Sequence, residues 1–339
     1  MPPARRVTLQ QVAAAAGVSS TTASFVLSGR KDGHRPGSDS TVERVEQAAR
    51  ELGYVPNAHA RAMRLGRTDS IALALGDARD PWVGELAHVV SQHAASKGLS
   101  TLVLVDESWH SLLQGRPFDC SLITGVEYGQ GRDHVRDLAR QGQRMVVHSG
   151  QYEPEGFDVI RSTAEKAVGS AIRRLRSRHD RVHFFGLEER VPERPNRSRL
   201  GLFLDEVAAA GEDPTGRWRA APPTMGEAQV EASAWLREAE RPTAVITQTS
   251  YLAIALQAAA LRVGISVPDE LEIIALGDVP RTSTLLGEVS HYAPADTFTT
   301  MAEVLVQRAV TSPEELPWRL LVFDWEFHPG VTTRDQIVG

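Results

Sequence analysis

Between Thr8 and Ser28 the apolar residues fall twice into helical spacing. Leu9, Val12, Ala13 and Ala16 mark one short helix. Thr8 is expected to cap it, with Gln11 completing a reciprocal capping box, and Gly17 ends it in the left-handed conformation that a helix stop needs. Ser19 caps a second helix, which turns Ala23, Val26 and Leu27 inward and Ser20, Thr21, Ser24 and Phe25 outward. The following stretch, GRKDGHRPGSDS, is a loop of glycine, charge and turn formers. Ser40 and Glu43 form a second capping box, opening a third helix with Val42, Val45, Ala48, Ala49 and Leu52 on one face and Gly53 as its stop. Past Pro56, Asn57 caps a short helix of small residues, Ala58, Ala60 and Ala62, with Arg61, Arg64 and Arg67 around Met63. That helix has no apolar stripe wide enough to dock on a core.

From Ser70 the pattern changes to apolar runs alternating with amphipathic stretches. Strands are expected at 70–76, 99–105, 120–124, 145–147, 181–185, 244–247 and 272–276. Helices are expected at 81–97, 133–140, 164–176, 199–210, 228–239 and 251–263. Late segments at 297–310 and 320–327 complete the pattern. Strand, helix, strand in repetition implies an α/β body with a doubly wound parallel sheet, behind an all-α head.

Charge divides the chain the same way. Residues 1–70 carry ten Lys/Arg against six Asp/Glu, a net +4, while the remainder nets −10. A basic head on an acidic body fits a head that meets phosphates. The length of 339 residues suits two or three domains. The single cysteine, Cys120, excludes an internal disulfide, suits a reducing compartment and sits in an apolar strand. No apolar run approaches the ~18 residues of a membrane span, and the first residues lack the apolar stretch of a secretory signal.

The second helix is slim enough for a DNA major groove, although the same spacing fits any small helical hairpin. The alanine-rich helix fits either a minor-groove insertion helix with Met63 as its wedge or a plain linker. A catalytic constellation is not found: there is no Lys-Ser/Thr phosphate loop and no serine elbow, so the chain is not expected to be an enzyme and no cofactor or metal is implied. His179 and His183 are four apart but flank a strand start, so the spacing does not place them on one face. Trp218, Trp235, Trp318 and Trp325 are expected to pack rather than stack a ligand, and the run Arg173 to Arg178 to be a solvated helix end.

Two stretches, VTLQQVAAAAGVSSTTASFVLSG and ARELGYVPNAHARAMRLGRTDSIAL, resemble the lactose/galactose repressor family of bacterial transcription regulators. The resemblance implies a cytoplasmic homodimer, a repressor in most of the family, that reads a palindromic operator on double-stranded DNA. It places Ser20, Thr21 and Phe25 at base-reading positions, and Ser19, Thr22 and Ser24 at phosphate contacts. Met63 takes the place of the family's wedge leucine, and Thr8, Asn57, Ala60 and Arg61 complete the DNA-contacting set. The implied domains are a helix-turn-helix head at 1–57, a hinge helix and linker at 58–67, and a two-lobed periplasmic-binding-protein-like body at 68–339. Lobe one then covers 68–157 and 279–312, and lobe two covers 158–278 and 313–339. The loop at 29–39 is longer than the family's usual form.

The small-molecule cleft between the lobes is where the chain departs from that family. The resemblance puts Trp82, His148, Arg199, Thr249 and Asp278 there. The Asn-Asp pair of sugar-binding members is Thr249-Ser250, their acidic pair is Gly277-Asp278, and a customary aspartate is replaced by His148-Ser149. Carboxylates and amides are what hold sugar hydroxyls in fixed directions. The substitutions leave two expectations open: a less hydroxylated effector held through Arg199, His148 and Trp82, or no effector. A small-molecule binding protein of the same fold with no DNA role is the alternative function.

Overall fold

The computed structural model describes residues 7–27, 38–55, 62, 66–76, 80–105, 108–126, 130–187, 198–280, 286–312 and 314–335. The chain forms two compact units, Met1–Thr68 and Asp69–Gly339.

In the first unit, α1 (Leu9–Ala16) begins with the expected capping box. The Gln11 amide donates to the Thr8 hydroxyl at 3.4 Å, and the Thr8 amide donates to the Gln11 side-chain oxygen at 2.8 Å. Gly17 closes the helix at φ +66°, a conformation costly for any residue with a Cβ. Helix α2 (Ser20–Leu27) follows, and the Ser19 hydroxyl accepts from the Thr22 amide at 3.1 Å. Helix α3 (Asp39–Leu52) starts earlier than the capping box on Ser40 and Glu43 implied. Ser38 precedes it, its hydroxyl bonding to those of Ser40 and Thr41 rather than to a backbone amide. The core of this unit is Val12, Val45 and five alanines at 13, 16, 23, 48 and 49. Alanine methyls bury little apolar area, so the stabilisation they give is small and the caps matter more.

The second unit holds two six-stranded sheets. The first runs β11 (Leu320–Phe323), β5 (Asp158–Ser162), β4 (Met145–His148), β3 (Cys120–Ile123), β1 (Ser70–Ala74), β2 (Ser100–Leu104), all parallel. The second runs β12 (Trp325–His328), β10 (His291–Pro294), β9 (Glu272–Leu276), β8 (Ala244–Thr247), β6 (His183–Leu187), β7 (Trp218–Ala221), parallel except for β12. Helices α4 (Pro81–Ser96) and α11 (Thr297–Val310) pack together on the first sheet, with Leu86, Val90, Met301 and Leu305 in one core with Ile71 and Leu73. Helices α5 (Trp109–Gly115) and α6 (Gly131–Arg140) cover its other face. On the second sheet, α7 (Glu165–Arg176) and α8 (Arg199–Ala209) lie on one side, α9 (Met225–Trp235) and α10 (Ser250–Val263) on the other.

The chain therefore passes between the sheets after Ser162, after Pro294 and at Asp324. This corrects the lobe limits expected at 157/158, 278/279 and 312/313. Strands β5 and β11 belong to the first sheet and β10 to the second. The run 320–327, read as one segment, is two strands in different sheets with Asp324 between them. Strands β5, β7 and β10 and helix α5 were not foreseen; each is short and has no clear periodicity.

A buried ion pair anchors the amino ends of β5 and β11, the two strands that lead into the first and third passages. Arg308 on α11 donates from Nε and Nη2 to the two oxygens of Asp158 at 2.8 and 2.7 Å, and both side chains are fully buried. Arg308 also donates to the carbonyls of Leu316 and Pro317 and lies over the Trp318 ring, while the Arg319 amide donates to Asp158 at 2.8 Å. The pair thus ties α11 and the approach to β11 onto the start of β5. Cys120 is buried beside it, and burial pushes its thiol well above the usual range, followed by the nearby Asp158 charge.

Removing one member leaves the other charged, buried and unpaired. Asp158→Ala should cost about 3–5 kcal/mol in urea unfolding of the body. A loss below about 1 kcal/mol, the level of an exposed pair, would show that the pair does not anchor these segments.

Candidate nucleic-acid interface and interlobe cleft

In the first unit, Ser19, Ser20 and Thr21 are exposed at the start of α2, and Thr8 is exposed at the start of α1. Thr22, Ser24 and Phe25 are half-buried, so two residues read as outward-facing, Ser24 and Phe25, lie against the helical hairpin as well as at its surface. The Ser19 hydroxyl is already engaged by the Thr22 amide and hydroxyl. Ser20 and Thr21 therefore offer the hydroxyls best placed for an external partner. Asn57, Ala60, Arg61 and Met63 lie outside the described residues.

In the second unit, the carboxyl ends of the parallel strands bring together residues far apart in sequence, as open α/β sheets do. Trp82 stands in the first turn of α4, just beyond β1, behind Pro81. The Asp80 carboxylate accepts from its amide at 3.0 Å. Its indole N–H donates across to the Asp278 carboxylate, beyond β9, at 3.0 Å. The indole stacks on His148, the last residue of β4, at 6.0 Å and 27°, and tilts against Phe298 at 5.8 Å. Arg199 opens α8, donating through Nη1 to the carbonyls of Gln248 and Leu276. Its guanidinium lies beside Gly277, whose φ of +100° disfavours a side chain there. Thr249 precedes α10, and its buried hydroxyl oxygen has no hydrogen-bond partner among the described residues.

The structure thus gathers Trp82, His148, Arg199 and Asp278, with Thr249 next to the Gln248 carbonyl that Arg199 holds. Three further groups belong here. Trp325 lies under Arg199 at 5.1 Å and donates to the Ser162 hydroxyl at 2.8 Å, and the Gln248 side-chain oxygen accepts from the Leu187 amide at 2.7 Å. Trp325 was expected to be packing only. Its place became visible only with the split between β11 and β12.

Other groups singled out by sequence have other partners. His179 bonds Glu272 and Thr243, whereas His183 sits on β6 at the edge of Trp235. Among the described residues no three metal-ligating side chains lie together. The run Arg173 to Arg178 is not simply solvated, since Arg174 pairs with Asp335, Arg176 with Glu212 and Arg178 with buried Glu272. Trp235 is core and Trp318 lies against Arg308.

Residues 8–57 match the model of the lacI family of bacterial regulatory proteins, and residues 173–321 match a periplasmic binding protein-like domain. The chain thus carries a lacI-family DNA-binding head and a periplasmic binding protein-like body. The HTH-type transcriptional regulator DegA of Bacillus subtilis is 28% identical over 311 residues, covering 88% of this chain and 87% of DegA. The HTH-type transcriptional repressor PurR of Photobacterium profundum is 25% identical over 282 residues, covering 80% of this chain and 82% of PurR. In fold, the chain resembles the lac repressor dimer bound to operator and the anti-inducer ONPF. The TM-score is 0.71 at 19% identity, covering 97% of this chain and 99% of that one. With that head, and with transcriptional regulators matching along most of its length, the chain is a DNA-binding transcription regulator and not an enzyme. The alternative of a small-molecule binding protein with no DNA role falls with its head.

Burial, and then the charge of Arg199, lower the pKa of His148 to about 4. His183 is also lowered to about 4, by burial and then by Arg217 and Arg181. An unfolded histidine takes up its proton near ~6.5. Between that value and 4 the unfolded chain binds more protons, so stability is full above about 6.5 and falls as the pH drops toward 4. The melting temperature of the regulator should decline over that window. His148→Gln should flatten the decline; an unchanged pH profile in that variant would place His148 in contact with water.

Proposed function

We propose that this regulator is a homodimeric, cytoplasmic repressor of transcription that reads a palindromic operator. The observation that carries it is the capped α1–α2 hairpin of a lacI-family head, with Ser20 and Thr21 exposed at the start of α2. In this scheme residues 1–57 form the DNA-binding head, residues 58–67 the hinge helix and linker, and residues 68–339 the two-lobed dimerising body. Ser20, Thr21 and Phe25 read base edges, while Thr8, Ser19, Thr22 and Ser24 grip the phosphates. Asn57, Ala60 and Arg61 serve the hinge segment, and Met63 wedges into the minor groove. Support comes from two sources: PurR is named a repressor, and the lac repressor structure is a dimer on its operator. The described helices include none long and apolar enough to cross a membrane, which fits a protein that meets DNA.

The cleft is the place where a small molecule would alter the lobes and so DNA affinity, an allosteric coupling between two sites. Trp82, His148, Arg199, Thr249 and Asp278 would contact it. Two indoles, an arginine and a neutral imidazole suit a flat, sparsely hydroxylated molecule better than a sugar.

Gel shifts on palindromic sites upstream of the protein's own coding region test the DNA role. Affinity for the preferred site should fall at least about a thousandfold between about 50 and 200 mM salt. Thr21→Ala should cost about 1–3 kcal/mol at one operator base pair and little elsewhere; uniform weakening at all sites would make Thr21 a positioning residue. Met63→Ala should reduce both affinity and DNA bending, and an unaltered bend angle would remove the wedge.

A further inference from the structure

We propose that Trp82 is a built-in latch, whose indole joins the two lobes by its hydrogen bond to Asp278 and its stacking on His148. Its importance for regulation rests on the reading of the cleft given above; its geometry does not. Trp82 is held from its own side by Pro81 and by the Asp80 carboxylate on its amide. The indole N–H reaches a carboxylate of the other lobe at 3.0 Å. A hydrogen bond to an ionised acceptor is stronger than one between neutral groups, and more so away from bulk water. His148 and Phe298 hold the ring on the first lobe's side, so the direction in which its N–H edge meets Asp278 is fixed by packing. Opening the lobes would break the bond and leave Asp278 without this donor.

The latch also defines what opens it. A molecule that displaces the indole must offer the same two features, a flat ring for the imidazole face and an N–H for Asp278. Heteroaromatic N–H compounds meet both conditions, whereas polyols supply donors without the flat face.

The test is chemical complementation in the full-length protein without DNA. Spin labels are placed at the exposed positions Arg136→Cys in the first lobe and Asp205→Cys in the second, in a Cys120→Ser background. Pulsed electron resonance then reads the interlobe distance. With the labelled chain diluted into unlabelled protein, so that a dimer carries one labelled chain, the parent should give one narrow distance. Trp82→Ala should give a longer and broader one with an unchanged far-ultraviolet spectrum, and saturating indole should restore the parent value. Benzofuran, the same shape with no N–H, should not restore it. Trp82→Phe, which keeps a ring without the donor, should also lengthen the distance. A parent-like distance in natively folded Trp82→Ala or Trp82→Phe overturns the latch, as does equal restoration by benzofuran. A gel shift on the same preparation reports DNA binding separately, so failure of the operator role and failure of the latch are distinguishable.

Discussion

Common strand direction is the constraint on which the body depends. Because the strands run parallel, with only β12 reversed, their carboxyl ends form one edge of each lobe. Every loop that leaves such an edge can place a side chain there at no cost to the sheet. Trp82 follows β1, His148 ends β4, Arg199 lies beyond β6 and Asp278 follows β9. Residues almost two hundred positions apart therefore meet. The cleft is a consequence of topology, and its chemistry is set by whichever residue occupies each strand end.

Buried charge is managed in two ways in this body. Asp158 and Arg308 are neutralised by each other and by backbone groups of residues 316–319, which ties α11, the start of β5 and the approach to β11 together. Glu272, at the start of β9, would be raised by burial. The combined hydrogen bonds of Arg178, His179 and the Arg334 amide hold it below the usual carboxylate range instead. That cluster binds the C-terminal segment to α7 and β9. Such pairs contribute little net stability beyond what apolar residues would give, but breaking one is costly.

The sequence was most legible where one signal acts locally. Capping and glycine stops marked α1 and α2, and unbroken apolar runs marked β8 and β9, whose limits coincide with those expected. It was least legible where partner choice decides the outcome. Nothing local in His-Tyr-Ala-Pro assigns β10 to the second sheet, and nothing in the run from Leu320 announces a change of sheet at Asp324. In the cleft, likeness pointed to Trp82, His148 and Asp278, which contact one another through the indole, and to Arg199, which holds the Gln248 and Leu276 carbonyls instead. Trp325 was not foreseen, because its place depends on that change of sheet. The start of α3 was misjudged because two serines and a threonine compete for the capping position.

The passage at Asp324 is a single residue long. Adjacent Cα atoms are about 3.8 Å apart, so a strand of one sheet and a strand of the other are tethered at a nearly fixed separation. The lobes are therefore not free to slide apart. Whatever enters between them can only swing one about a pivot close to this aspartate, and the jaw tips farthest from that pivot travel most.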